Sequence, residues 1–169
     1  LEIKKKYRGL VNKRRTTLEL GEAYDFIETG VKPELQDYMN GQVLNELEYC
    51  LNLYDLEPKV YIAYDRLAYF EKGNDDLRIS FDTNIRTRRS DLSLESGDHG
   101  KRLLDSDVWL MEIKTSLAKP LWLCEMLSEF EIRSSSFSKY GTEYKNMMAR
   151  QKEMTKQKIF VFGNQKQAV

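Results

Sequence analysis

The chain has 169 residues, 41% of them hydrophobic, and its 27 lysines and arginines balance 27 aspartates and glutamates. That length suffices for one domain with a real core, and the zero net charge argues against general duplex nucleic-acid binding, so any electrostatic specialisation must be local. No stretch of about 18 apolar residues occurs to cross a membrane, and two widely spaced cysteines, Cys50 and Cys124, argue against a disulfide framework and fit a reducing cytoplasm.

The sequence opens on Leu1-Glu2-Ile3, without a methionine or a signal peptide. Leu1 reads as the middle of a strand, so earlier strands are expected before it. Residues 1–7 alternate, with Glu2, Lys4 and Lys6 opposite Leu1, Ile3, Lys5 and Tyr7. Gly9 marks a turn, and 10–18 reads as a returning strand with Lys13 and Arg15 on one face, which predicts a hairpin. A short helix follows over 21–29, stopped at Gly30. From Leu35 to Tyr54 apolar residues recur at three and four, interrupted at Asn40-Gly41, which predicts a short helix and then a longer one.

After Pro58 the period returns to two. Val60, Ile62, Tyr64, Arg66 and Ala68 share a face; a turn is expected at 73–76. The strand 77–84 then separates Leu77, Ile79, Phe81 and Thr83 from Arg78, Ser80, Asp82 and Asn84. Residues 86–106 are polar and predict a mobile loop or ragged hairpin, with His99 on its surface. The strand 108–114 sets Trp109, Met111 and Ile113 against Val108, Leu110, Glu112 and Lys114. Lys119-Pro120 starts a helix, 130–136 connects, a last helix is expected from about Thr142 to Lys152, and 153–169 reads as a weakly patterned tail. Trp109, Trp122, Met111, Met126, Tyr49 and Tyr54 stand at spacings that predict core packing.

The candidate charged faces hold Glu2, Lys4, Lys6, Lys13, Arg15, Arg66, Arg78, Asp82, Glu112 and Lys114, seven basic residues and three acidic. Polar inner faces with apolar outer ones describe an α+β protein: an antiparallel β-barrel or tunnel with a wet interior and helices packed outside. Cations around one cavity need counter-ions, and a triphosphate supplies charge and oxygens suited to the arginine fork. Glu112 among those cations would hold a divalent metal against phosphate. An ordinary antiparallel sheet with a solvated charged face shows the same alternation, and cross-strand salt bridges account for Glu-x-Lys pairs.

Six stretches, taken in order, resemble the catalytic domain of the vacuolar transporter chaperone (VTC) family, polyphosphate polymerases of the triphosphate tunnel metalloenzyme (CYTH-like) superfamily. They are Glu2–Lys6, Val11–Arg15, Tyr64–Tyr69, Leu77–Asn84, Met111–Lys114 and Ser136–Tyr140. The likeness covers residues 1–152, is closest to bacterial members, and lacks the family's first strands. It implies a tunnel in which the terminal phosphoryl group of ATP passes to a polyphosphate chain, with Mn²⁺ or Mg²⁺ as cofactor. Lys4, Lys13, Arg66 and Arg78 would grip phosphates, Glu112 would carry the metal, and Ser138 with Lys139 would contact phosphate from a helix start. Arg66, Arg78 and Lys139 are the expected catalytic residues; strand parity adds Lys6 and Arg15, and Lys114 is a further phosphate or carboxylate partner. Hydrolysis of inorganic or nucleotide triphosphate, and non-catalytic binding of polyphosphate or of an inositol phosphate on a surface basic patch, are the alternatives.

Overall fold

The computed structural model describes residues 1–116 and 118–164, with side chains except at 74, 75 and 156–164. The chain divides into two compact units, Leu1–Pro58 and Lys59–Val169.

In the first unit β1 (Glu2–Tyr7) and β2 (Leu10–Arg15) form an antiparallel hairpin, turning through Arg8 and Gly9, both at positive φ. Two helices follow, α1 (Leu20–Thr29) and α2 (Gly41–Leu53). Gly30 ends α1 in the left-handed conformation, φ 71°, and donates its N–H to the Phe26 carbonyl. Asn40 caps α2, its side chain accepting from the Val43 N–H at 3.1 Å. Phe26, Met39 and Leu44 make the buried core, and Leu1, Leu18, Leu47 and Leu51 pack on it. The short helix expected after Leu35 is absent: a turn closes from Met39 N to Gln36 O instead. So few residues before the Asn40 cap cannot repay helix nucleation.

The second unit is a four-stranded antiparallel sheet with two helices. Long strands β3 (Tyr61–Glu71) and β4 (Asn74–Arg88) pair across a two-residue turn, Lys72-Gly73, tighter than the turn expected at 73–76 because Gly73 takes φ 79°. β4 also pairs with β5 (Lys101–Arg102) and β6 (Leu110–Lys114). Helix α3 (Leu121–Glu129) starts after Pro120, and α4 runs Lys139–Asn164. The last helix therefore begins before Thr142 and continues beyond Lys152, through residues read as tail; only 165–169 of that stretch lie outside the described residues. Among the described residues the strands form sheets of two and four, and no closed barrel is seen.

Register fixes the faces. Asp65 pairs with Thr83 but Ala63 with Arg86, so β4 carries one surplus residue at Asn84-Ile85, with Asn84 at φ 49°. This is a β-bulge, which reverses the parity of β4 beyond it. Thr87, opposite Ile62, thus joins the face of Arg66 and Asp82. Of the two readings of 86–106, mobile loop or ragged hairpin, the hairpin stands: β5 returns to pair with β4, and the connection is pinned by Arg88, which is 8% exposed. Its guanidinium donates to the carbonyls of Asp91, Ser93, Gly97 and His99 at 2.6–3.0 Å and lies 3.6 Å from the Tyr61 ring centroid. His99 is at the surface, as expected, with Nδ1 3.1 Å from Ser96 O.

The opposite face of the sheet, with Tyr69, Ile79, Phe81 and Met111, meets α3 around an apolar cavity of 250 Å³ that Trp122 and Met126 also line. The expectation of core packing fails for Trp109, Trp122, Met126, Tyr49 and Tyr54, which are all more than 40% exposed. Helical and strand periodicity identify an apolar side, but burial needs a second surface that closes on it.

Candidate functional site

The charged face of the second unit is built by register. Arg66 faces Asp82 across β3 and β4, while Arg78, Ser80 and Asp82 face Lys114, Glu112 and Leu110 across β4 and β6. Directly opposed residues in an antiparallel pair share a side, so Arg66, Arg78, Asp82, Glu112 and Lys114 stand together.

At the centre is Asp82, 1% exposed. Arg66 donates to it through Nε at 2.5 Å and Nη2 at 2.8 Å, and Lys139 Nζ donates at 2.5 Å. Burial would raise the Asp82 carboxyl, but the hydrogen bonds and charges of Arg66 and Lys139 prevail and hold it below the usual carboxylate range. Arg66 is shifted upward, first by its hydrogen bond to Asp82. Below both cations lies Tyr64, its ring centroid 4.9 Å from the Arg66 guanidinium carbon and 4.4 Å from Lys139 Nζ. The ring's negative face steadies the two positive charges from a third direction.

Arg78 is different. Its guanidinium lies 5.4 Å from the Phe70 ring centroid, its Nε is buried without a hydrogen-bond partner, and among the described residues it forms no ion pair. A buried guanidinium donor left unsatisfied costs on the order of 1–3 kcal/mol, which an incoming anion would relieve. Glu112 is 45% exposed, 3.3 Å from Lys114 Nζ and 3.8 Å from Arg66 Nη2.

Ser138 and Lys139 stand at the start of α4. Ser138 is its cap: the hydroxyl accepts from Gly141 N at 3.1 Å and the carbonyl from Thr142 N at 2.8 Å. One turn on, Glu143 receives two hydrogen bonds from Arg89, at 2.8 and 2.6 Å, tying α4 to the end of β4.

The remaining expected residues lie on the hairpin of the first unit. Glu2 faces Arg15, Lys4 faces Lys13 and Lys6 faces Val11, so Lys4, Lys6, Lys13 and Arg15 share one exposed side, with Glu2 bonded to Lys13 at 3.1 Å. Lys5 and Arg14 take the other side and both reach Glu46 of α2.

Asp82 was legible only as one more acid on the Arg78 side; its role as the shared acceptor for Arg66 and Lys139 was missed. The pairing with Lys139 spans 57 positions, beyond the reach of any strand period.

No group of three His, Cys, Asp or Glu side chains able to cage a metal occurs among the described residues. The donor set does fit a divalent ion held by Glu112 together with phosphate oxygens and water, the arrangement hard Mg²⁺-like ions adopt at phosphate sites.

The molecule is an α+β protein whose sheet carries cations fixed on a buried aspartate, beside an arginine with an unpartnered buried donor. The sequence matches the VTC domain family over residues 1–148, most of its length, and the chain belongs to that family, which is associated with polyphosphate synthesis. No curated protein matches it.

Proposed function

We propose that the charged face of β3, β4 and β6 binds the triphosphate of ATP and transfers its terminal phosphoryl group to a polyphosphate chain. The observation that carries this reading is Arg78, a guanidinium with a buried, unpartnered Nε on the same face as Arg66 and Lys139. Phosphoryl transfer asks mainly for positioning and charge neutralisation, with little covalent chemistry from the protein. Asp82 supplies the positioning. It holds two cations without spending all their donors, since Arg66 keeps Nη1 free of Asp82 and Lys139 has three protons. Arg78 binds the anion with a donor that has nothing to lose on leaving the apo state.

Glu112 and Lys114 form the rim of this face, with Glu112 the ligand for Mn²⁺ or Mg²⁺. Such an ion, when bound, neutralises phosphate charge. Ser138 and Lys139 present the start of α4 to phosphate, and Lys4, Lys6, Lys13 and Arg15 give the hairpin its own phosphate-attracting side. Cys50 and Cys124 are free thiols, which supports a reducing, cytoplasmic setting.

The test is incubation of the protein with ATP and Mn²⁺. Polyphosphate that stains metachromatically, lost in E112Q and R78M, is the expected result. Free phosphate without polymer would replace the polymerase with a triphosphatase. Binding of inorganic triphosphate without any turnover, unaffected by E112Q, would replace both with a binding module.

A further inference from the structure

A second cavity, of 380 Å³, lies where β4 and β5 end against the middle of α4. Its walls include Thr87, Arg89, Lys101, Arg102, Glu143 and Arg150. Arg89 is spent on Glu143 and the neighbouring Arg88 on four carbonyls, whereas Lys101, Arg102 and Arg150 form no ion pair among the described residues. Lys101 and Arg150 thus meet, uncommitted, at a cavity whose one acid is already neutralised, while Arg102, opposite Arg86, belongs to the other side of the sheet.

The cavity continues the charged face. The bulge puts Thr87 on the side of Arg66 and Asp82, and Lys101 faces Thr87 directly, so that side runs on into β5. Both α4 and β4 lead the same way from the Lys139–Asp82 pair: about 16 Å along the helix to Arg150, and about 16 Å along the strand to Thr87. A triphosphate held at Arg78, Arg66 and Lys139 ends short of this. A longer phosphate chain does not.

We infer that the cavity between β4, β5 and α4 is a binding site for the extended part of a polyphosphate chain, giving the protein a preference for long chains over triphosphate. The inference rests on the proposed phosphate-binding face and adds to it a determinant of chain length. Lys101 and Arg150 neutralise phosphates of the chain and release their counter-ions, so the cavity adds affinity that a short ligand cannot collect.

Calorimetric titration of the full chain with inorganic triphosphate and with long-chain inorganic polyphosphate, over a series of salt concentrations, tests this. K101E should weaken long-chain binding by about fivefold and lower its salt slope by about one, while triphosphate binding changes by less than about twofold. R150E, a change on an exposed helical position, should reproduce the loss from the other wall. K145E alters charge on α4 outside the cavity and should leave long-chain binding in place. Equal losses for both ligands, or a K145E effect as large as that of R150E, would reduce the cavity to general electrostatics and overturn the inference; so would unchanged long-chain binding in K101E and R150E. Wild-type protein that binds long chains, sensitive to these variants, but not triphosphate would instead remove the proposed face and leave the cavity standing. Failure to bind either ligand removes both.

Discussion

Arg78 and Asp82 stand about 13 Å apart along one strand and carry opposite liabilities. Replacing Arg78 with methionine removes a buried donor that has no partner, so R78M should match or exceed the wild type in apo stability, by up to about 1 kcal/mol. The same variant should lose the triphosphate-induced rise in melting temperature. An R78M protein that is both destabilised and still ligand-responsive would show that Arg78 serves the fold. Asp82→Asn has the reverse character: it strands Arg66 and Lys139, and should cost about 3 kcal/mol as a broken buried ion pair does. The sign with pH follows from the lowered carboxyl. The stabilisation by Asp82 is complete above its unfolded value near 4 and is lost as pH falls through its lower folded value. Urea midpoints of wild type and D82N, well separated at pH 7, should converge below about pH 4.

At the scale of elements, alternation in sequence carried a great deal. The hairpin sides, with Lys4 and Lys13 together and Lys5 and Arg14 opposite, and the shared side of Arg66, Arg78, Glu112 and Lys114, all stand in the structure as parity required. The misses are physical in kind. Arg88 orders its loop by donating to backbone carbonyls, a partnership that leaves no mark in side-chain chemistry, and α4 beyond Glu153 is basic, amide-rich and weakly patterned, so that it reads as tail. Two consequences can be measured. Arg88→Ala should cost about 2 kcal/mol by removing the four hydrogen bonds through which its buried guanidinium holds the loop and should open 89–100 to limited proteolysis. At Gly100 a Cβ would stand 2.8 Å from the Thr87 carbonyl oxygen, so G100A should push β5 from β4 at a cost of about 1–3 kcal/mol, seen as a lower urea midpoint.

Across the whole molecule, both tryptophans, Trp109 and Trp122, belong to the second unit. Their fluorescence therefore reports the unit with Arg78 and Asp82, and a ligand that prefers the folded state there must raise the fluorescence-detected midpoint. Inorganic triphosphate should do so in the wild type and not in R78M; a shift seen by circular dichroism but absent from fluorescence would move the binding site to the first unit. The expected barrel is not closed among the described residues; closure depends on which strand edges meet, and no periodicity encodes that. The bulge at Asn84-Ile85 bears on any comparison of this chain with its relatives. It works as a frame shift in the geometric reading of the sequence: from Arg78 to Asp82 the even-numbered residues of β4 share the side of Arg66, and by Thr87 the odd-numbered ones do. A relative one residue shorter here would keep every downstream letter and yet exchange inside for outside, so a match by residue identity alone would assign arginines such as Arg86 and Arg88 to the wrong side of the sheet.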